Sequence, residues 1–522
     1  MDAPVRAGLL WSDRYDSAMG SLGFQWTWER FNVPHVVSCE RFFRVTPESA
    51  GGGSGRGDSG GSRGRFAARG GRFQRKDGRS GAPAHGGPVS FESGRPLGGC
   101  DLLLASISYE LDFPHLVRML AAGGAEPLRS RRSPDEPALV IGGPLTRANP
   151  LPLAAIADVV VVGDGEPAVA ALVAHIQGGG MTDAHSVVDA LRGVPGAWIP
   201  SESPVPPPSF EAEAGVLPVV SAVATPHSAF PDLHLVEISR GCPKSCTFCL
   251  GRRPDPVGLP ESGSTLPIDP GGPTPADASA TIVRRPSSIR SPFLRFAPTE
   301  SILSALPSDG KGAGIIGAAL SYHPGLAVIL ESLASRGLKA GLSSLRADRM
   351  TSELAALLKA TGGEVLTVAA DGISERVRSE LRKDVTEADL VKSAELARDA
   401  GIHALKIYAM VGLPGETEDD VLEFAGLLNR LNTQLPVIAS LSVFVPKKGT
   451  PLEHAPFGPV DRVSDRLQML RRHCSGGIRI NRVSAREAML QWLYDHASVE
   501  DGERMVLSAL AGQDDLRVFR GQ

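Results

Sequence analysis

Aromatic side chains make up only 5% of this 522-residue chain. No run of residues approaches the ~18 consecutive apolar positions of a membrane-spanning helix. Residues 1–8 hold no apolar core of a secretory signal, so a soluble, cytoplasmic protein with no membrane partner is expected. Charge of one sign is also lacking. A formal net charge of −4 excludes any global argument for attraction to nucleic acid or to an anionic surface. Six cysteines in so long a chain exclude a secreted disulfide framework. What is plentiful is Gly (59) and Pro (42), which predicts that part of the chain is loop or insert. The 42% of hydrophobic residues still suffices for a substantial core, and the length suits roughly three domains.

Half of the cysteines fall in one run, Glu237-Ile238-Ser239-Arg240-Gly241-Cys242-Pro243-Lys244-Ser245-Cys246-Thr247-Phe248-Cys249. Closely spaced thiols serve structural zinc sites, which take four protein ligands. No fourth ligand stands out here. Cys39 and Cys100 lie far upstream, Cys474 far downstream, and a strand-like run separates His234 from Cys242. A cubane [4Fe-4S] cluster normally takes four thiolates, so three leave one iron open to an outside ligand. A zinc knuckle and three structural thiols are the competing readings.

Short apolar runs ending in small or polar residues recur through the first 195 residues, at 101–106, 138–144 and 157–163, with helix-like stretches between. They predict an α/β domain with a doubly wound, Rossmann-like parallel sheet, whose ligands belong beyond the strand carboxyl ends. Those ends are 106–110, 142–144 and 163–166. A low-complexity tract at about 49–87 interrupts the domain. There Arg63, Arg65, Arg69, Arg72, Arg75, Lys76 and Arg79 interleave with Phe66 and Phe73. Such a mixture can make a weak RNA contact through phosphates and stacking, but its composition already accounts for a flexible insertion. A Pro-rich connector, 196–232, leads to six strand candidates at 235–238, 314–320, 341–344, 365–369, 404–410 and 438–445. Helical stretches alternate with them, which predicts a partial (β/α)6 TIM-like barrel over 233–450 with chemistry at its strand carboxyl ends. A second insert is expected at about 252–291, and a helical extension over 451–522.

The three cysteines and Phe248 resemble the motif of the radical S-adenosylmethionine (SAM) superfamily. Further segments resemble its branch with an N-terminal cobalamin (B12)-binding-like domain: Met19-Gly20-Ser21-Leu22-Gly23, Ser108-Tyr109-Glu110-Leu111, Gly142-Gly143-Pro144, Asn149-Pro150, Gly163-Asp164-Gly165-Glu166 and, in the barrel, Leu413-Pro414-Gly415-Glu416-Thr417. The resemblance implies a [4Fe-4S] cluster on Cys242, Cys246 and Cys249. The open iron would chelate SAM, whose reductive cleavage gives methionine and a 5′-deoxyadenosyl radical. It also implies an electron donor such as a flavodoxin or ferredoxin. SAM contacts carried over by position are Gly317 through its backbone, Ser344 and Arg346 after the third strand, Asp371 and Ser374 after the fourth, and Leu413 beside the adenine. The Glu of a Gly-Gly-Glu-like stretch is missing after Gly317, and Asp371 is shorter than the Glu of relatives. The cobalt-ligating Asp-x-His-x-x-Gly is also absent, since the matching loop reads Asp13-Arg14-Tyr15. If cobalamin binds, methyl transfer to an unactivated carbon is the implied reaction. The alternatives are a methylthiotransferase acting on RNA or protein, for which Cys39, Cys100 and Cys474 are too scattered to hold a second cluster, and a non-catalytic iron-sulfur or RNA-binding scaffold.

Overall fold

A computed structural model of the chain describes residues 3–44, 87–133, 136–252, 294–308, 310–481 and 483–513. The Arg-rich tract and almost all of the second insert lie outside these residues, and with them the expected RNA contact.

Six strands form the N-terminal sheet: β1 (Val5–Trp11), β2 (Val37–Phe43), β3 (Leu102–Ser106), β4 (Ala138–Gly142), β5 (Val159–Val161) and β6 (Ala197–Trp198), in the order β2-β1-β3-β4-β5-β6. All pairings are parallel except β5 with β6. The continuous apolar runs are explained by two cores. Leu103, Ala105, Leu139 and Ile141 pack into one face, while Leu102, Leu104, Ala138 and Val140 pack into the other. The sheet is doubly wound, as expected.

The connector contributes to both sheets. Its β6 closes the N-terminal sheet, Phe210 bridges to Gly163, and β7 (Val219–Val220) pairs antiparallel with β8 (His234–Gly241). β9 (Leu294–Phe296) pairs with the other end of β8, whose parallel neighbours run on through β10 (Gly312–Gly317) and β11 (Lys339–Leu342). A second parallel sheet holds β12 (Val365–Asp371), β13 (Ala404–Val411), β14 (Val437–Val443) and the two-residue β15 (Arg479–Ile480). One bridge, Leu345 to Val368, links the two sheets. Thus β8, β10, β11, β12, β13 and β14 are the six expected strands of a partial barrel that does not close. Outer residues of these strands, Leu405, Ile407 and Ala439 among them, share one core with Leu390, Phe424 and Leu428 of the surrounding helices.

The C-terminal helices turn back onto the N-terminal domain. Tyr494 of the helix Ala485–His496, with Val506 and Ala509 of the helix Val499–Leu510, completes the core that holds Leu103 and Ile141. The Asn149 side-chain amide donates to the carbonyls of Tyr494 (2.9 Å) and Ala497 (2.8 Å). Gly502 is required by close approach, since a methyl group there would stand 2.5 Å from the carbonyl oxygen of Pro152.

Candidate active site between the two domains

β8 delivers the chain directly into residues 242–249, at the carboxyl end of the partial barrel. This loop is seated on the turn 381–384. The Thr247 amide donates to the Leu381 carbonyl (3.1 Å), Lys244 pairs with Asp384 (2.9 Å), and the Cys246 thiol donates to the Arg382 carbonyl (3.6 Å). Arg382 and Asp384 hold φ of 53° and 51°, so the turn sits in the left-handed region that few non-glycine residues adopt. Arg346 braces it from the other side, donating to the carbonyls of Lys383 (2.9 Å) and Asp384 (3.1 Å) while pairing with Asp348 (2.8 Å).

Cys246 is buried, and Cys242 and Cys249 are half-buried. Burial pushes the Cys246 thiol up to about 11, with Lys383 opposing, and the three thiols influence one another electrostatically. Burial also raises Cys249, against a hydrogen bond from the Gly251 amide that favours its thiolate. Among the described residues no three His, Cys, Asp or Glu gather as ligands of one metal ion. A cubane makes a different demand, because each thiolate takes its own iron corner and the sulfurs need not converge on a point. One loop carrying three thiols, with an amide and an ammonium placed to stabilise sulfur charge, fits such a cluster. Bound iron must displace the thiol protons, since burial alone favours the neutral form.

The sequence-predicted contacts fall into different settings. Asp371, at φ 60° after an irregularity in β12, forms an ion pair with the nearly buried Lys383, and both act electrostatically on Cys246 and Cys249. Gly317 lies opposite Ser239 in the β8–β10 register, where a methyl group would meet the Ser239 hydroxyl at 2.2 Å. Ser344 is half-buried just past β11, whereas its neighbour Ser343 reaches the Gly317 carbonyl (3.4 Å). The Leu413 side chain packs with Val377, Leu381, Phe444 and Phe248, under the cysteine loop. Ser374 is wholly buried. Its hydroxyl caps the helix Glu375–Glu380 by accepting from Val377 and donates to Asp420 (2.5 Å).

A cavity of about 770 Å³ extends from Gly241 and Leu250, the residues flanking the cysteine loop, to the carboxyl ends of the N-terminal strands, with Gly23, Gly143, Glu166, Arg240, Gly251 and Gly317 on its walls. Arg240 crosses the domain boundary to Glu166 (2.7 Å) and Asp164 (3.3 Å) and pairs with Glu237 (2.9 Å). Burial works to raise the Asp164 carboxyl, but Arg147 and Arg240 outweigh it and hold the group below the usual carboxylate range. The Ser239 hydroxyl and Glu166 Oε2 are buried without a hydrogen-bond partner on this wall. Buried polar atoms of this kind call for a ligand or a water. A methyl group at Gly23 or Gly165 would meet no atom within 4 Å, so a bulky occupant can approach the backbone there. Tyr15, in the loop matched to the cobalt-ligating motif, stacks on Phe91 with ring centroids 5.0 Å apart and packs edge-on to Phe43.

Ser239, Arg240, Gly251 and Lys383 were not singled out by sequence reasoning. The first two stand within the quoted cysteine run and were legible as neighbours of the motif. Lys383 meets Asp371 only through the fold.

A family profile described as the radical SAM superfamily matches residues 236–428, and one described as radical SAM proteins, N-terminal, matches residues 78–200. An uncharacterized protein of Methanocaldococcus jannaschii is 24% identical over 358 residues, 68% of either chain. Among solved structures, the cobalamin-dependent SAM radical enzyme OxsB with aqua-cobalamin and SAM bound aligns with a TM-score of 0.47 and 13% identity, over 91% of this chain and 58% of that one. Streptococcus suis SuiB bound to SAM aligns with a TM-score of 0.30 and 11% identity, over 51% of this chain and 54% of that one. This chain therefore spans little more than half the length of these solved proteins.

Proposed function

The chain belongs to the radical SAM superfamily, and on that premise we propose that it cleaves SAM reductively at a [4Fe-4S] cluster held by Cys242, Cys246 and Cys249. The observation that carries this reading is the three-thiol loop at the end of β8, seated on the turn 381–384, with the residues that flank it, Gly241 and Gly251, on the wall of the cavity. When bound, cluster and SAM together supply a 5′-deoxyadenosyl radical able to abstract hydrogen from an unreactive C–H bond.

The protein's own part is to hold, orient and exclude water. Cys246, at the buried centre of the loop, is fixed by the Thr247–Leu381 bond on one side and Phe248 on the other. Gly317 brings its backbone into the wall with no side chain of its own, and Ser239 packed beside it brings an uncommitted hydroxyl. Arg346 and Asp371 keep the turn and its lysine in place around the thiols, with Ser344 and Leu413 bordering the same region. Ser374 serves from behind, fixing the segment after β12.

Cobalamin suits the same cavity, through the strand-end glycines and the Glu166 and Ser239 atoms that lack partners. Methyl transfer is then the reaction class proposed, with an electron donor such as a flavodoxin or ferredoxin. With Tyr15 stacked on Phe91, cobalt would be bound without a protein ligand from that loop. The test is anaerobic reconstitution with iron and sulfide, reduction by dithionite with SAM, and assay of 5′-deoxyadenosine, with Cys246→Ala as control. A loaded cluster that never yields deoxyadenosine overturns the reading. Retention of hydroxocobalamin through gel filtration tests the cobalamin part separately.

A further inference from the structure

Among the described residues, helices cover one face of the sheet β12–β15. Along β13, Leu405, Ile407, Ala409 and Val411 are buried, while Lys406, Tyr408 and Met410 point the other way and Tyr408 is 36% exposed. β12 and β14 alternate alike, with Thr367, Ala369, Ile438, Ser440 and Ser442 on the uncovered face. The register arranges these residues in rows. Thr367, Lys406, Ile438 and Arg479 form one row, and Ala369, Tyr408 and Ser440 the next toward the carboxyl ends. This is the inner face of the half-barrel, where Lys406 stands half-buried inside β13 and Arg479 stands exposed on the edge strand β15.

Among the described residues neither cation is paired with an acid. Lys406 has an aromatic contact, its ammonium 4.9 Å from the Tyr408 ring centroid. Asp371, at the carboxyl end of β12, is taken by Lys383. Adjacent strands stand ~4.8 Å apart, so the backbones carrying Lys406 and Arg479 are roughly 10 Å apart across Ile438, within reach of one oxyanion. Four residues further along β13, roughly 13 Å at strand spacing, Met410 reaches the level of Asp371 and the cysteine loop.

From this charge arrangement we infer that the inner face of β12–β15 is a binding floor for a small-molecule substrate bearing a carboxylate or phosphate. Lys406 and Arg479 grip the anion, Tyr408 flanks an apolar or aromatic segment, and the opposite end of the molecule reaches the cysteine loop. The inference rests on the radical SAM reading for the identity of the ligand as substrate, but the anion site stands on its own geometry.

The test uses calorimetric titration of the reconstituted full chain at low ionic strength with three probes: benzoate, phenyl phosphate and neutral phenol. Saturable binding of at least one anion is expected, weakened about tenfold or more in Lys406→Met/Arg479→Leu, because each removes a charge-assisted contact. Comparison of benzoate with phenyl phosphate tells carboxylate from phosphate. Circular dichroism and the melting temperature establish that the variant is folded, and Tyr408→Leu, which keeps both cations, should retain anion binding. No saturable anion binding overturns the proposal, as does binding unchanged by the double substitution or matched by phenol. Deoxyadenosine formation by the unsubstituted protein is scored independently. Anion binding without SAM cleavage sinks the enzymatic reading and leaves the site, whereas cleavage without anion binding sinks the site alone.

Discussion

Lys447, just past β14, reaches the wholly buried Asp495 of a C-terminal helix at 2.6 Å and also bonds Glu110 of the N-terminal domain. One ammonium thus ties three distant stretches of chain at the mouth between the domains. Truncating it leaves two carboxylates buried and facing each other. Lys447→Met should therefore cost ~3–5 kcal/mol, read from the shift in denaturant midpoint. Unchanged stability would show that water already screens the trio.

The same trio sets a pH dependence. Burial, reinforced by Glu110 and opposed by Lys447, pushes the Asp495 carboxyl up from 3.8 to about 7. A carboxyl with a raised folded-state pKa leaves the fold most stable when protonated. Its contribution is fully present below about pH 4 and is lost as pH rises through about 7. Melting temperature measured across that window should fall for the natural chain more steeply than for Asp495→Asn. Parallel curves would exclude Asp495 as the titrating group.

Gly502→Ala sets two effects against each other. Within the helix Val499–Leu510, alanine gains roughly 0.5–1 kcal/mol in propensity. The added methyl meets backbone atoms of Pro152 at 2.5 and 2.9 Å, which cannot swing aside. Overpacking of this kind costs ~1–3 kcal/mol, so net destabilisation is expected, with faster proteolysis of the C-terminal helices. A stabilised variant would mean that the helix shifts freely on its support.

Ser374→Ala removes an N-cap and the bond to Asp420. A loss of ~1–2 kcal/mol is expected from the cap. The KM for SAM should stay within about twofold, because the hydroxyl faces the protein interior; energetically, tenfold would need ~1.4 kcal/mol of lost contact. A raised KM at unchanged stability would instead make it a direct contact.

Cys246→Ala should abolish cluster retention and deoxyadenosine formation, while Cys474→Ala, in a thiol packed against the barrel core far from the loop in sequence, should keep both. Iron and sulfide analysis beside product assay separates cluster loss from a failure of later steps.

The parts legible in the sequence are those whose physics is local. Strands buried on both faces read as unbroken apolar runs, hence 101–106 and 138–144. Capping pairs such as Thr417 with Asp420 mark helix starts, and three cysteines on one loop declare themselves without any fold. Contacts made only by tertiary folding leave no such mark. The amphipathic pattern of 485–510 says that these helices bury a face, but not that the face belongs to the N-terminal domain. Ser374 followed by Glu375 reads equally as a ligand contact or a helix cap. The pairing of Asp371 with Lys383 depends on a turn with two left-handed residues that neither glycine nor asparagine announces. Two-residue strands such as β6, β7 and β15 fall below any periodicity.

Tyr494, Val506 and Ala509 supply one wall of the N-terminal core. The domain synthesised first is therefore finished last: until residues 494–509 leave the ribosome, the core that Phe113, Leu116 and Leu120 build on Leu103 and Ile141 lacks its remaining wall. Completion of the N-terminal core is then one of the last events in the folding of this chain.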